Sequence, residues 1–351
     1  MNRLNKALAL ALAVFVLTTT IVEASDKKKN KKGGKDPYAE LVWPPPPAKA
    51  RIKLEHVIAG RADVVAKGKL KRKLLGGSPQ AVYDDLLRPY SVAIDGRGRF
   101  LVTDSEIKAV IRFDLEGRVM DVLGTTGPYS LVYPLGMHIA EDETIYVADA
   151  TGGKVVAYEE DGTVIQVYGA GGGLVNPADV ITSPDGSRVL VADSKAHHIV
   201  VFDRESGEVV DTIGKQGNTE GTFNFPTSMA FDPDGNLFVV DTQNARVQVF
   251  DLDYEYLDVL GERGSGPGQF TRPRDIAIDE VGFIYVTDFA FNNIQIFDID
   301  FSVLTFVGTG GTSPGSFSGL TGIDVRGDTI AAVDQLGERL QILRFIVPKD
   351  E

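Results

Sequence analysis

Apolar residues in this chain come in runs of about five, separated by polar stretches, and the runs follow one order. Around Asp241 an apolar run, LFVV, ends on the aspartate; the polar stretch TQNAR follows, and a second run, VQVF, closes on an aromatic. β-Branched and aromatic runs broken by a short polar segment predict a strand, a tight turn and a second strand. The same frame follows Asp104, Asp149, Asp193 and Asp288 and, with less regular residues, Asp334. These six aspartates stand 45, 44, 48, 47 and 46 residues apart. A fixed period of this length predicts a repeat architecture whose units share one core, so the 351 residues are read as one domain rather than two or three.

Two further strands complete each unit. In the fourth unit the chain runs from Pro226 through TSMAF to the turn PDG, on to Asp241, through RVQVF and then YLDVLG into the glycine-rich GERGSGPGQF. Asp-Gly pairs at 95–96, 161–162, 185–186 and 234–235 mark tight turns between strands in this and other units. Four short antiparallel strands in about 46 residues predict a propeller blade. The fold class is therefore all-β: a six-bladed β-propeller of four-stranded antiparallel blades. The last unit shows only three strands before residue 347, and the alternating segment RIKLEHVIAG, residues 51–60, has no unit of its own. It is predicted to supply the missing strand and close the ring, which removes two open sheet edges. The competing segment, Lys69 to Leu75, lies in a run with five basic residues from Lys67 to Lys73, which suits an exposed helix or loop.

The tract Gly264, Gly266, Gly268, Phe270, Pro273, together with Asp241, Asn244, Arg246, Val247, Phe250, resembles the NHL repeat of six-bladed propellers. The resemblance covers residues 51–347 and is strongest in units four and five. Unit one carries Ala109 where the pattern has Arg, and unit six carries Gly337 where it has Asn, so those two loops are expected to differ in shape. The resemblance implies the fold. Its members include ligases, lyases and binding scaffolds, so it does not choose a function. The repeated Asp and Arg are expected to cap or bridge loops, and the repeated Phe to pack between blades.

Before the repeats, residues 1–24 follow a secretory pattern: Arg3 and Lys6, an apolar run from Ala7 to Val22, then Val22-Glu23-Ala24. Residues 25–50 are lysine-rich and then proline-rich and are expected to form a disordered tether, with 348–351 as a short tail. The protein is thus expected outside the cytoplasm, in the periplasm or the cell exterior. With no cysteine, it relies on packing instead of disulfides. Residues 81–351 carry 19 Lys or Arg against 43 Asp or Glu, a balance of −24. Such a body repels nucleic-acid phosphates and suits basic partners, while the lysine-rich tail suits peripheral contact with anionic surfaces. A monomer binding a protein or a surface polymer is the expected arrangement.

Candidate chemistry is sought where the units depart from their pattern. Aligned on Pro89, Pro134, Pro177, Pro226, Pro273 and Leu320, the innermost strands begin with polar residues at Tyr90, Ser91, Asp179, Ser228, Arg274 and Asp275. With His198 and Arg246 from the loops after the marker aspartates, they are expected to surround one channel mouth and bind a ligand. His138 and Asp324 occupy slots that hold Ala or Ile in the other units, and stand as candidate metal ligands. No catalytic set is recognised and no cofactor is implied outright, with calcium or zinc as the candidate ions. The resemblance to zinc-dependent amidating lyases would require several converging histidines, and the chain has only His56, His138, His197 and His198. Gluconolactonase-like propellers use carboxylate and Asn ligands for a divalent cation, so Asp179, Asp275 and Asp324 keep a metal-dependent hydrolase or lyase as the alternative to a non-catalytic binding platform.

Overall fold

The computed structural model describes residues 36–65 and 83–346. The secretory pattern, the lysine run before residue 36, the basic run Lys67 to Lys73 and the tail 348–351 lie outside the described residues. All that follows concerns the unit that begins at Glu40.

Short apolar runs separated by Asp- and Gly-containing turns fold back as antiparallel ladders, because each turn is too short for any other connection. In blade 5 the innermost strand Pro273–Ile278 pairs with Ile284–Asp288, that strand with Asn293–Phe297, and that one with Val303–Val307. Blades 1 to 4 repeat the order from innermost strands Pro89–Ile94, Pro134–Ile139, Pro177–Thr182 and Pro226–Phe231. Each innermost strand neighbours the next, and the sixth, Leu320–Arg326, returns to the first. Proline is tolerated at their first position, where the ladder needs no donor. The end of the ring where these strands begin is called the proline end below, and the opposite end the turn end.

Blade 6 is completed as expected. Ile52–Ile58 pairs antiparallel with Arg339–Phe345, with Ile52 opposite Phe345 and Ile58 opposite Leu340. Ile52, Leu54 and Ile58 are buried, so the closing strand inserts its apolar face between blades. One expectation is corrected here. The proline-rich part of the tether is not wholly without structure, because Val42–Trp43 pairs with the closing strand and gives blade 6 a fifth strand. The Trp43 indole lies against Gly315, in the loop from blade 5 to blade 6, where an added Cβ would come within 3.1 Å of it. An apolar ring that can cover a neighbouring loop outweighs the disorder that the flanking prolines suggest.

The core lies between blades. Ile181, Leu190 and Ile199 of blade 3 pack with Met229, Val239 and Phe250 of blade 4, and equivalent layers occur around the ring. The recurring aromatics fill these layers, as in the Phe270–Phe297 contact, whose ring centres are 6.0 Å apart.

Every marker aspartate ends a second strand and is buried to within 1% exposure. Asp288 shows why. It accepts the N–H groups of Thr271 and Arg272, which lead into the innermost strand, and those of Ala290 and Phe291 in its own loop. Asp104 does the same for Leu87, Arg88, Glu106 and Ile107. A buried carboxylate with several backbone donors is a cheap way to satisfy amides that no strand can reach. Arg246 and Arg339 each place Nε 2.9 Å from their marker aspartate and donate to loop carbonyls, so the repeated Asp and Arg organise loops within the fold.

Candidate functional site

Innermost strands expose one unpaired edge to the channel, and the sequence answers this blade by blade. Asp179 Oδ2 accepts the N–H of Met229 in the next blade at 2.9 Å. Asp275 Oδ2 accepts that of Ile323 at 2.8 Å, and Asp324 Oδ2 that of Ile94 at 2.6 Å. In each case a carboxylate reaches the amide one position further along the neighbouring strand. Closer to the proline end the carbonyls are satisfied by threonines: Thr227 donates to Arg274 O and Thr321 to Tyr90 O. Departures from the apolar pattern along the innermost strands are thus explained first by the edge they cap.

At two positions along these strands the backbones themselves come close. An added Cβ on Gly136 would lie 2.3 Å from Asp179 Oδ1 and 2.6 Å from Ala178 O, and one on Gly322 would lie 2.6 Å from Tyr90 O. Both glycines are required by close approach of the next blade.

Between these bridging carboxylates and the turn end lies a cavity of about 790 Å³. Its inner wall includes Ser91, Asp179, Asp275, His138 and Asp324, and its outer wall includes Asp142, Asp185, Asp232 and Glu280. Two arginines stand among them. Arg204 bonds the Tyr146 hydroxyl and pairs with Asp142, and Arg326 donates to Ile94 O. The cavity is therefore acidic from floor to rim.

Burial governs the charge of its inner wall. It pushes the Asp324 carboxyl up to about 7, with the charge of Asp275 adding to the shift. Asp275 is pushed up to about 6, again by burial, against the lowering effect of Ser228 and the Ile323 and Ile276 amides. Asp179 moves in the same direction through burial and the neighbouring Asp275. Burial, aided by Arg204, lowers His138 to about 4, so its ring is neutral at pH 7. Its Nε2 lies 2.9 Å from the Thr182 hydroxyl.

The eight residues expected at one mouth are divided by the structure between two ends. Ser91, Asp179 and Asp275 line the cavity, and Ser228 lies beside it, donating to Asp275 Oδ1. Tyr90 and Arg274 sit one position earlier, towards the proline end, outside the cavity lining. Arg246 is committed to Asp241, Thr219 and Thr222, and His198 pairs with Asp193 in the ladder of blade 3. The side-chain period of two cannot say at which end of a channel a position falls relative to the cavity floor. Sequence reasoning missed Arg204, Asp142 and the other wall residues of the turns, whose signal was the density of acidic residues at those turns.

His138 and Asp324 do not come together as a ligand pair. They stand on blades 2 and 6 and face different partners, Thr182 and the Ile94 amide. Among the described residues no three His, Asp or Glu side chains converge on one point.

Comparison with known proteins agrees with the geometry. A family model described as "6-bladed beta-propeller" matches residues 230–310, and one described as "Lactonase, 7-bladed beta-propeller" matches residues 141–258. NHL repeat-containing protein 3 of Homo sapiens is 31% identical over 148 residues, covering 38% of this chain and 42% of that protein. Its Mus musculus counterpart is 28% identical over 142 residues, covering 36% and 41%. The chain is a six-bladed NHL-repeat β-propeller. The NHL propeller's match spans about two fifths of these curated relatives' length. In known structures it shares its fold with a gluconolactonase from Xanthomonas campestris, at 16% identity and TM-score 0.58 over 74% of this chain and 87% of that one. It also shares it with a catalytically inactive virginiamycin B lyase from Staphylococcus aureus, at 15% identity and TM-score 0.54 over 74% and 80%. A Bacteroides thetaiotaomicron protein of unknown function aligns with TM-score 0.60 at 17% identity, over 75% and 70%. At these identities the likeness concerns the fold alone. The NHL propeller has six blades, so the seven-bladed description fits its repeats and not its ring.

Proposed function

We propose that this NHL propeller is an exported, monomeric, non-catalytic binding platform whose partner, a protein or a surface polymer, presents cationic groups to the turn end. The acid-lined cavity supports this reading most directly. Its walls at the turn end carry Asp185, Asp232 and Glu280 around an open space of about 790 Å³. Long-range attraction from a body with a balance of −24 would steer such a partner, and no converging set of ionisable ligands accompanies it among the described residues. The secretory pattern of residues 1–24 supports export, and the lysines from Lys27 to Lys35 support peripheral contact with an anionic surface.

The reading is tested by retention of the mature protein on immobilised poly-L-lysine, with uncharged dextran as control. Retention on the cationic surface, lost as salt rises from roughly 50 to 500 mM, is expected from screening of exposed charges. Equal retention on both surfaces would remove the basis of the proposal. A second reading, a metal-dependent hydrolase or lyase, is favoured by the match of residues 141–258 to the lactonase model. Turnover of a lactone that depends on added calcium or zinc and disappears in Asp179→Ala would replace the platform with that enzyme.

A further inference from the structure

At the proline end, Arg274 is set apart by a buried Nε that has no partner, whereas many of the arginines are held by carboxylates. Arg99, Arg112, Arg204, Arg246, Arg339 and Arg344 all bond carboxylates. Arg274 forms no ion pair and no side-chain hydrogen bond among the described residues, and its Nε is buried without a partner. Its neighbour in sequence does not relieve it. Asp275 turns its oxygens to Ser228, Ile276 and Ile323. In a stretch where acids outnumber bases by 43 to 19, an unpaired guanidinium beside the axis calls for a physical explanation.

What holds it is aromatic. Arg274 Cζ lies 5.9 Å from the ring centre of Tyr90, which reaches it from blade 1 past blade 6, and 5.8 Å from that of Phe289. Arg272 lies over the same Phe289 ring at 5.1 Å. Guanidinium groups held by ring faces keep their N–H edge free, and that edge matches a carboxylate through two parallel hydrogen bonds. The Nη groups, unlike Nε, are neither buried nor hydrogen-bonded, so they are open to an acceptor at the mouth. The same end of the ring also exposes large apolar side chains: Leu87, Val132, Val175, Phe225 and Leu336 are 38% to 65% exposed.

We propose that the proline-end mouth of the channel binds organic carboxylates, with Arg274 clamping the carboxylate through its two Nη groups and Tyr90 and Phe289 holding the guanidinium in place. This site lies at the opposite end from the acidic cavity, so it stands or falls separately from the cationic-partner reading. The ligand chemistry has two sources, a free aromatic acid or the carboxyl end of a peptide chain.

Calorimetric titration of the mature protein distinguishes them, using hippurate and acetyl-Ala-Phe, each beside its amide. Saturable binding of at least one free acid is expected, with its amide bound at least about tenfold more weakly, as loss of a bidentate charge-assisted pair implies. Hippurate binding indicates the small-acid source, and peptide binding alone indicates a chain terminus. Arg274→Gln should weaken the acid about tenfold or more at unchanged circular dichroism, and Arg274→Lys should recover only part, because an ammonium lacks the planar fork. Equal binding of acid and amide, no binding of either acid, or undiminished binding by Arg274→Gln would each overturn the assignment.

Discussion

Asp288 carries four backbone N–H groups on one buried carboxylate, and its five buried counterparts accept from one to four in their own blades. Replacing it with Ala leaves those donors without acceptors in a region closed to water. Urea unfolding of Asp288→Ala is expected to show a loss of roughly 3 kcal/mol or more, since each unmet buried donor costs about 1–3 kcal/mol. A loss below about 1 kcal/mol would mean that water replaces the carboxylate. The channel aspartates behave differently, because burial raises them. With Asp275 pushed up to about 6 and Asp324 to about 7, the folded chain holds protons that unfolded carboxyls of ordinary pKa near 4 have released. Between about pH 7 and pH 4 these groups therefore favour the folded state increasingly as pH falls, and their contribution is lost as pH rises through the folded values. Melting temperatures of Asp324→Asn and the parent, measured from pH 8 to pH 5, should shift relative to each other in the parent's favour as pH falls. A constant offset would show that Asp324 titrates as an ordinary carboxyl.

At the scale of the strand, the innermost edges decide how closely the blades approach. Asp179, Asp275 and Asp324 span the gap to the next strand, while Gly136 lets backbone meet backbone. Gly136→Ala puts a methyl within 2.3 Å of Asp179 Oδ1 and within 2.6 Å of Ala178 O. It is expected to cost about 1–3 kcal/mol, as overpacking of a closed core does, read from thermal or urea unfolding. The strands themselves were legible in the sequence because each is a local run with a period of two, bounded by turn residues. Val42–Trp43 was not, because two residues beside a proline run carry no periodic signal; Trp43 is placed by the loop at Gly315.

For the whole molecule, stability depends on closing the ring with a strand about 290 residues away from its partner, since Glu55 meets Arg344 across that closure. Leu54 is buried at the centre of that strand. Leu54→Asp places an unpaired charge between blades and leaves the Arg339–Phe345 edge open, so the variant is expected to unfold several degrees earlier and to elute with aggregates on gel filtration. An unchanged melting temperature would show that blade 6 holds without its N-terminal strand.

By itself the sequence determined the period, the six blades, the positions of the marker aspartates and the segment that closes the ring, because all of these follow from local order repeated at a nearly constant interval. Only the tertiary structure decided what the exceptions do. It turned Asp179, Asp275 and Asp324 into caps for the edges of neighbouring strands, separated Tyr90 and Arg274 from the acidic cavity, and left His138 apart from Asp324. The physical reason is that the channel brings together residues from non-adjacent units, as with Tyr90 and Arg274 across blade 6. Repeat spacing orders residues along a strand, but a charge, a ring or a hydrogen-bond donor acquires its role from whatever meets it across the axis.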